Sequence, residues 1–104
     1  MLRKSPSGLT YLADWESASV NQRMEHLACF AGGMFALGAS VVPQESESDM
    51  ALAAAHMKIG TALTETCFQS YNRSATQLGP DSFHFDRESK REATGQDEEW
   101  YFLR

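Results

Sequence analysis

Long apolar runs are missing from this chain of 104 residues. A membrane-spanning helix needs about eighteen to twenty consecutive apolar residues, and no apolar stretch reaches that length, so no membrane span is expected. Basic residues are also scarce. Lys and Arg number 9 against 14 Asp and Glu, giving a net charge of −5 and a pI near 5.0. Binding a phosphate backbone requires clustered cations, so no nucleic-acid role is expected. No leader pattern opens the chain, because Met1-Leu2-Arg3-Lys4 runs into Ser5-Pro6-Ser7-Gly8 and not into an apolar segment. A targeting segment, if the parent is secretory, is expected upstream. The length and the 42% hydrophobic content allow one small domain with a modest core at most.

What the chain does contain is one uncharged stretch, His26 to Ala39, that holds one of two cysteines, one of three histidines and three of seven glycines. Its composition predicts burial. Phe30, Met34, Phe35 and Leu37 fit a short helix packed on more than one side. Gly32-Gly33 lowers helix propensity but admits a second backbone closely, with Gly33 expected at the contact.

Around this stretch the local signals are simple. Ser5-Pro6-Ser7-Gly8 is turn chemistry ahead of the β-prone Leu9-Thr10-Tyr11-Leu12, which predicts a hairpin arm. Residues 16 to 25 are polar and predict a loop. Pro43 ends the first helix. Ser46 followed by Asp49 then forms a capping pattern for a long helix from about Ser48 to Tyr71. The apolar stripe of that helix is Leu52, Ile59, Leu63, Cys67 and Tyr71. Two helices about a proline loop make an αα-hairpin. Gly79-Pro80 forces an extended path after the second helix. Residues 87 to 99 are charged or polar and predict a solvated loop, and Trp100 to Leu103 is aromatic and β-prone.

Several residues carry chemistry that the residue types alone leave open. Cys29 and Cys67 suit free thiols, a disulfide, or a metal pair with His26, the last lacking the further ligands of a zinc site. His26 suits a satisfied core histidine or a pocket wall, and His56 and His84 suit structural or exposed positions. Asp81 suits a solvated turn. Asn72-Arg73-Ser74 is a glycosylation sequon.

Read together in order, the His26–Ala39 stretch, Thr66-Cys67, Leu78-Gly79-Pro80-Asp81 and Tyr101-Phe102-Leu103-Arg104 resemble the class I α-1,2-mannosidases, glycoside hydrolase family 47. The resemblance runs over residues 1 to 104 and matches an internal part of that family's catalytic domain, so the chain is expected to be a partial domain without a complete boundary. It implies an all-α fold, part of an (α/α)7 barrel, here a helical hairpin with short β-hairpin arms. It also implies a Cys29–Cys67 disulfide, and with it an oxidising compartment: the endoplasmic reticulum or Golgi, or secretion.

The activity it implies is calcium-dependent, inverting removal of mannose from high-mannose N-glycans, with two carboxylates acting across a water. The principal carboxylates and the direct ligand of Ca2+ would lie outside these residues; the arm ending in Arg104 stops before the family's Pro-Glu. His26 is expected to line or brace the pocket, Arg104 to orient substrate or a carboxylate, and Asp81 to stand in the outer shell of the sugar and calcium site. The family loop reads Thr-Gly-Leu-Gly-Pro-Glu-x-Phe, where this chain has Gln77 for the first glycine and Asp81 for the glutamate. The alternative is a non-catalytic relative or truncated product that binds glycan or a glycoprotein.

Overall fold

In the computed structural model, which describes residues 2–85 and 91–95, three short antiparallel strand pairs accompany a helical hairpin. Strands β1 (Leu2–Lys4) and β2 (Thr10–Leu12) pair with Leu2 opposite Leu12 and Lys4 opposite Thr10. Their turn is closed by Ser5 N–H donating to the Leu9 carbonyl at 2.8 Å and Gly8 N–H to the Ser5 carbonyl at 2.9 Å. Gly8 takes φ +94°, a conformation that strains any side chain. The hairpin arm expected from the turn residues is therefore present.

The polar loop expected over residues 16 to 25 is not. Strands β3 (Asp14–Glu16) and β4 (Ser19–Asn21) form a second hairpin, with Glu16 opposite Ser19. Its two turn residues, Ser17 and Ala18, both have positive φ, 49° and 65°. A two-residue hairpin turn favours that left-handed pair because it matches strand twist, yet neither residue is the usual Gly, Asn or Asp. Strand β5 (Arg23–Glu25) then pairs with β6 (Ser82–His84), Met24 opposite Phe83. With three strand pairs beside two helices the chain is mixed, and the all-α label is corrected accordingly.

A 3-10 turn, His26–Cys29, leads into α1 (Phe30–Val41), which ends where Val42 turns extended at ψ 128° ahead of Pro43. Helix α2 (Glu47–Asn72) starts from Ser46, whose Oγ accepts the Asp49 N–H at 3.2 Å, with Glu47 and Asp49 in the first turn favouring the helix dipole. The expected bounds agree to one residue at each end. The stripe of α2 is buried only midway: Leu63 and Cys67 are buried, whereas Leu52 is 48% and Tyr71 37% exposed.

The core lies among the strands and not along α1. Tyr11, Ala13, Met24, Cys67, Phe83, Phe85 and Ala93 form it. Tyr11 stacks on Phe85 with centroids 3.9 Å apart, and Thr66 Oγ1 ties α2 to β2 by donating to the Thr10 carbonyl at 2.5 Å. Helix α1 departs from expectation: Phe30 is 83% exposed, and Leu27, Met34, Leu37 and Val41 are exposed with it. Those positions recur at steps of three and four, so they make one apolar face. The opposite face, Gly32 and Ala39, is the buried one.

The glycines explain why. A Cβ on Gly60 would lie 2.8 Å from the Gly32 carbonyl oxygen and 3.1 Å from the Ala36 nitrogen, whereas a Cβ on Gly33 would meet nothing within 4 Å. The close crossing is Gly32 on Gly60, which corrects the expectation for Gly33. The solvated reading of residues 87 to 99 also fails where the structure describes them. Glu92 is fully buried, its carboxylate accepting Ser5 Oγ–H at 2.6 Å, Ser7 N–H at 3.2 Å and the Ser7 hydroxyl. His84 and Thr94 bridge next to it.

The crossing predicts opposite outcomes for two similar substitutions. Gly60→Ala meets backbone that no rotamer change can move and is expected to destabilise by about 1–3 kcal/mol. Gly33→Ala, exposed within α1, is expected to stabilise by about 0.5–1 kcal/mol through helix propensity. Chemical denaturation of both variants checks the pair.

Candidate functional site

The β5–β6 ladder sets the site. Antiparallel pairing of Glu25 with Ser82 makes His26 and Asp81 the next opposed residues, and the His26 N–H donates to the Asp81 carbonyl at 2.8 Å. Two residues chosen far apart in the sequence are thus brought together by strand register. Both are half-buried.

A second element closes on the same point. Cys29 and Cys67 are joined by a disulfide with Cα atoms 6.0 Å apart, bridging a separation of 38 residues. It replaces the free-thiol and metal-pair alternatives. His26 stands three residues before Cys29 in the 3-10 turn, where i and i+3 eclipse. Tyr71 stands four after Cys67 on α2, where i and i+4 share a face. The consequence is a second link parallel to the disulfide: His26 Nε2 and Tyr71 Oη are 2.5 Å apart, with the rings edge to face at 5.5 Å.

The loop after α2 is shaped to this tyrosine. A Cβ on Gly79 would lie 2.6 Å from Tyr71 Cζ, so the loop backbone lies directly on the ring. Pro80 is buried beside it. Gln77 takes φ 59°, a left-handed conformation that an ordinary side chain adopts at a penalty.

The other expected residues are placed more simply. Asn72 is exposed at the end of α2. His56 is half-buried against Phe35, ring centroids 5.8 Å apart, and His84 is half-buried in β6. Arg104, with the arm from Trp100, lies outside the described residues. Calcium takes about six to eight oxygen ligands. Among the described residues no three His, Cys, Asp or Glu side chains gather to hold a metal ion, and Asp81 alone is not a calcium site. Sequence reasoning missed Tyr71 as a partner of His26, counting it only in the α2 stripe. It also missed Glu92, whose polar neighbours gave no sign of burial.

Comparison with known proteins adds the following. The family described as Glycosyl hydrolase family 47 matches residues 1–104. The chain is similar to mannosyl-oligosaccharide 1,2-alpha-mannosidase IA of Sus scrofa, 42% identical over 104 residues that cover 100% of this chain and 15% of that protein. Similarity is the same, 42% with the same coverages, to mannosyl-oligosaccharide 1,2-alpha-mannosidase IB of Homo sapiens and mannosyl-oligosaccharide alpha-1,2-mannosidase IA of Drosophila melanogaster. The chain therefore spans 15% of the length of these relatives.

Two outcomes follow from this geometry. Gln77→Gly is expected to raise stability by about 1 kcal/mol by relieving the left-handed penalty, read as a higher midpoint in denaturant; an unchanged or lower midpoint would mean that the loop holds Gln77 without strain. Thiol labelling of the denatured, unreduced chain is expected to find no free cysteine. Cys67→Ser is expected to cost about 4 kcal/mol on the chain-entropy account of a loop this long.

Proposed function

The chain belongs to glycosyl hydrolase family 47, and on that premise we propose that it is part of a longer, calcium-dependent α-1,2-mannosidase that trims high-mannose N-glycans with inversion. The observation that carries this reading is the meeting of His26 with the Gly79-Pro80-Asp81 loop through the β5–β6 register. It gathers a nitrogen base, a phenol and a carboxylate-bearing loop on one edge of the molecule, beside the disulfide. Such polar groups suit the many hydroxyls of a sugar. In this reading His26 braces the pocket, Asp81 stands in its outer shell and Arg104 orients substrate or a carboxylate. The acid that protonates the leaving oxygen and the base that activates water, like the direct ligands of Ca2+, are supplied by other parts of the protein.

The exposed face of α1 supports the same reading. Leu27, Phe30, Met34, Leu37 and Val41 are exposed together, and a contiguous apolar face of this kind marks a surface that packs on something. We assign that face to the neighbouring helices of an (α/α)7 barrel. An oxidising compartment, the endoplasmic reticulum, the Golgi or the cell exterior, fits the disulfide, and the exposed Asn72 suits an attached glycan there.

Mannose release from a high-mannose N-glycan, with and without a calcium chelator, tests the reading. The longer protein is expected to release mannose and to lose that activity on chelation, whereas residues 1–104 alone release none. In the longer protein, Asp81→Ala is expected to weaken substrate or calcium binding while leaving the melting temperature nearly unchanged, because a half-buried loop acid adds little to the core. Calcium-dependent release by the isolated chain would show that the catalytic groups are misplaced. Unaltered kinetics and calcium affinity in Asp81→Ala would return that residue to a solvated turn.

A further inference from the structure

The reading above takes the His26–Tyr71 pair only as polar lining, yet its geometry is more constrained than a chance surface contact. Three restraints converge on it. The disulfide fixes the 3-10 turn against α2 one turn away on each element. The His26 backbone is held by Asp81 at 2.8 Å. The Gly79 backbone walls the Tyr71 ring, since a Cβ there would lie 2.6, 2.8 and 3.0 Å from Cζ, Cε1 and Cε2. A tyrosine left free would lose rotamer entropy on ordering, but here the wall already confines it, so its hydroxyl meets Nε2 at 2.5 Å with little further ordering.

The chemistry of the contact has a direction. A phenol oxygen shares its lone pair with the ring and is a better donor than acceptor, while an unprotonated imidazole nitrogen is a good acceptor. The phenol hydrogen therefore goes to Nε2, which leaves the imidazole hydrogen on Nδ1. A histidine fixed in this way offers one donor of set position and cannot turn over to offer the other.

We propose that Tyr71 is a positioning residue: it locks His26 in one ring orientation and in the Nδ1–H tautomer, so that His26 presents a fixed N–H donor to a sugar hydroxyl or a water. The lock follows from this geometry alone, whereas its value to a sugar reaction rests on the mannosidase reading. No atom is transferred and no bond is made or broken by Tyr71 itself.

Ring nitrogen-15 chemical shifts of neutral histidine distinguish the two tautomers, and His56 and His84 serve as internal references in the same spectrum. In the full chain, His26 is expected in the Nδ1–H form. Tyr71→Phe keeps the ring against Gly79 and removes only the hydroxyl; His26 is then expected to shift toward the Nε2–H form that a free histidine prefers, with His56 and His84 unmoved. Gly79→Ala displaces the ring and is expected to shift His26 in the same sense. An Nε2–H form in the unaltered chain, or a His26 signal identical in Tyr71→Phe, overturns the lock. A change spread equally over all three histidines overturns it too, because the hydroxyl would then be a general packing element. In the longer protein, Tyr71→Phe is expected to lower turnover by about tenfold, because His26 loses its fixed orientation. Unchanged turnover in an active protein overturns the positioning role and leaves the mannosidase reading standing. A parent that releases no mannose at all removes that reading while the tautomer result still stands.

Discussion

The bond between Cys29 and Cys67 is the constraint from which the other elements take their places. It fastens the turn that follows β5 to the middle of the C-terminal half of α2, and Cys67 itself belongs to the core while Cys29 packs on it. The held turn follows directly on β5, whose pairing with β6 puts Asp81 opposite His26. The effect of closing so long a loop falls chiefly on the unfolded chain, whose freedom it removes. The small core among the strands therefore need not supply all of the stability, as a core this modest would otherwise have to.

The helical hairpin separates closeness from hydrophobicity. Its crossing is made by Gly32 and Gly60, where backbone meets backbone, and Thr64 Oγ1 donates to the Gly60 carbonyl at 2.8 Å beside it. Its large apolar side chains stand on the opposite side of α1. The molecule is correspondingly elongated, 51 Å along its longest axis, with a Cα radius of gyration of 15.0 Å where a compact domain of about 100 residues has about 13 Å. The hairpin's apolar surface is thus turned away from the chain's own core.

How much of this was legible in the sequence depended on how local each signal was. The bounds of α2 were legible because Ser46 caps within three residues and Val42-Pro43 stops α1 within one. The first hairpin was legible through Gly8. The second was hidden, because Ser17 and Ala18 take left-handed conformations without the residues that advertise them. The apolar run of α1 predicts burial, but Phe30, Met34, Leu37 and Val41 stand exposed; composition cannot say on which side of a helix, or against which partner, such residues pack. Glu92 looked solvated because its partners, Ser5 and Ser7, lie at the other end of the sequence. In the candidate site, His26, Asp81 and the cysteine pairing came from the resemblance to the mannosidases. Their meeting depended on the β5–β6 register, which the polar look of residues 16 to 25 concealed. Tyr71 was visible only as one more apolar-stripe residue, since nothing in a sequence states that two rings a long way apart will touch.

The buried Glu92 has a consequence for the order in which the molecule assembles. Its carboxylate is held by a serine hydroxyl 87 positions earlier in the chain. At a synthesis rate of about 5–20 residues per second, the Ser5–Gly8 turn waits roughly 4 to 17 s after its own appearance before that acceptor is made. The first hairpin is thus made well before the last of its partners. Until then it exposes Thr10 and Tyr11, buried in the final fold, together with strand edges that have no neighbour, and that interval is when a chaperone would find the nascent chain most receptive.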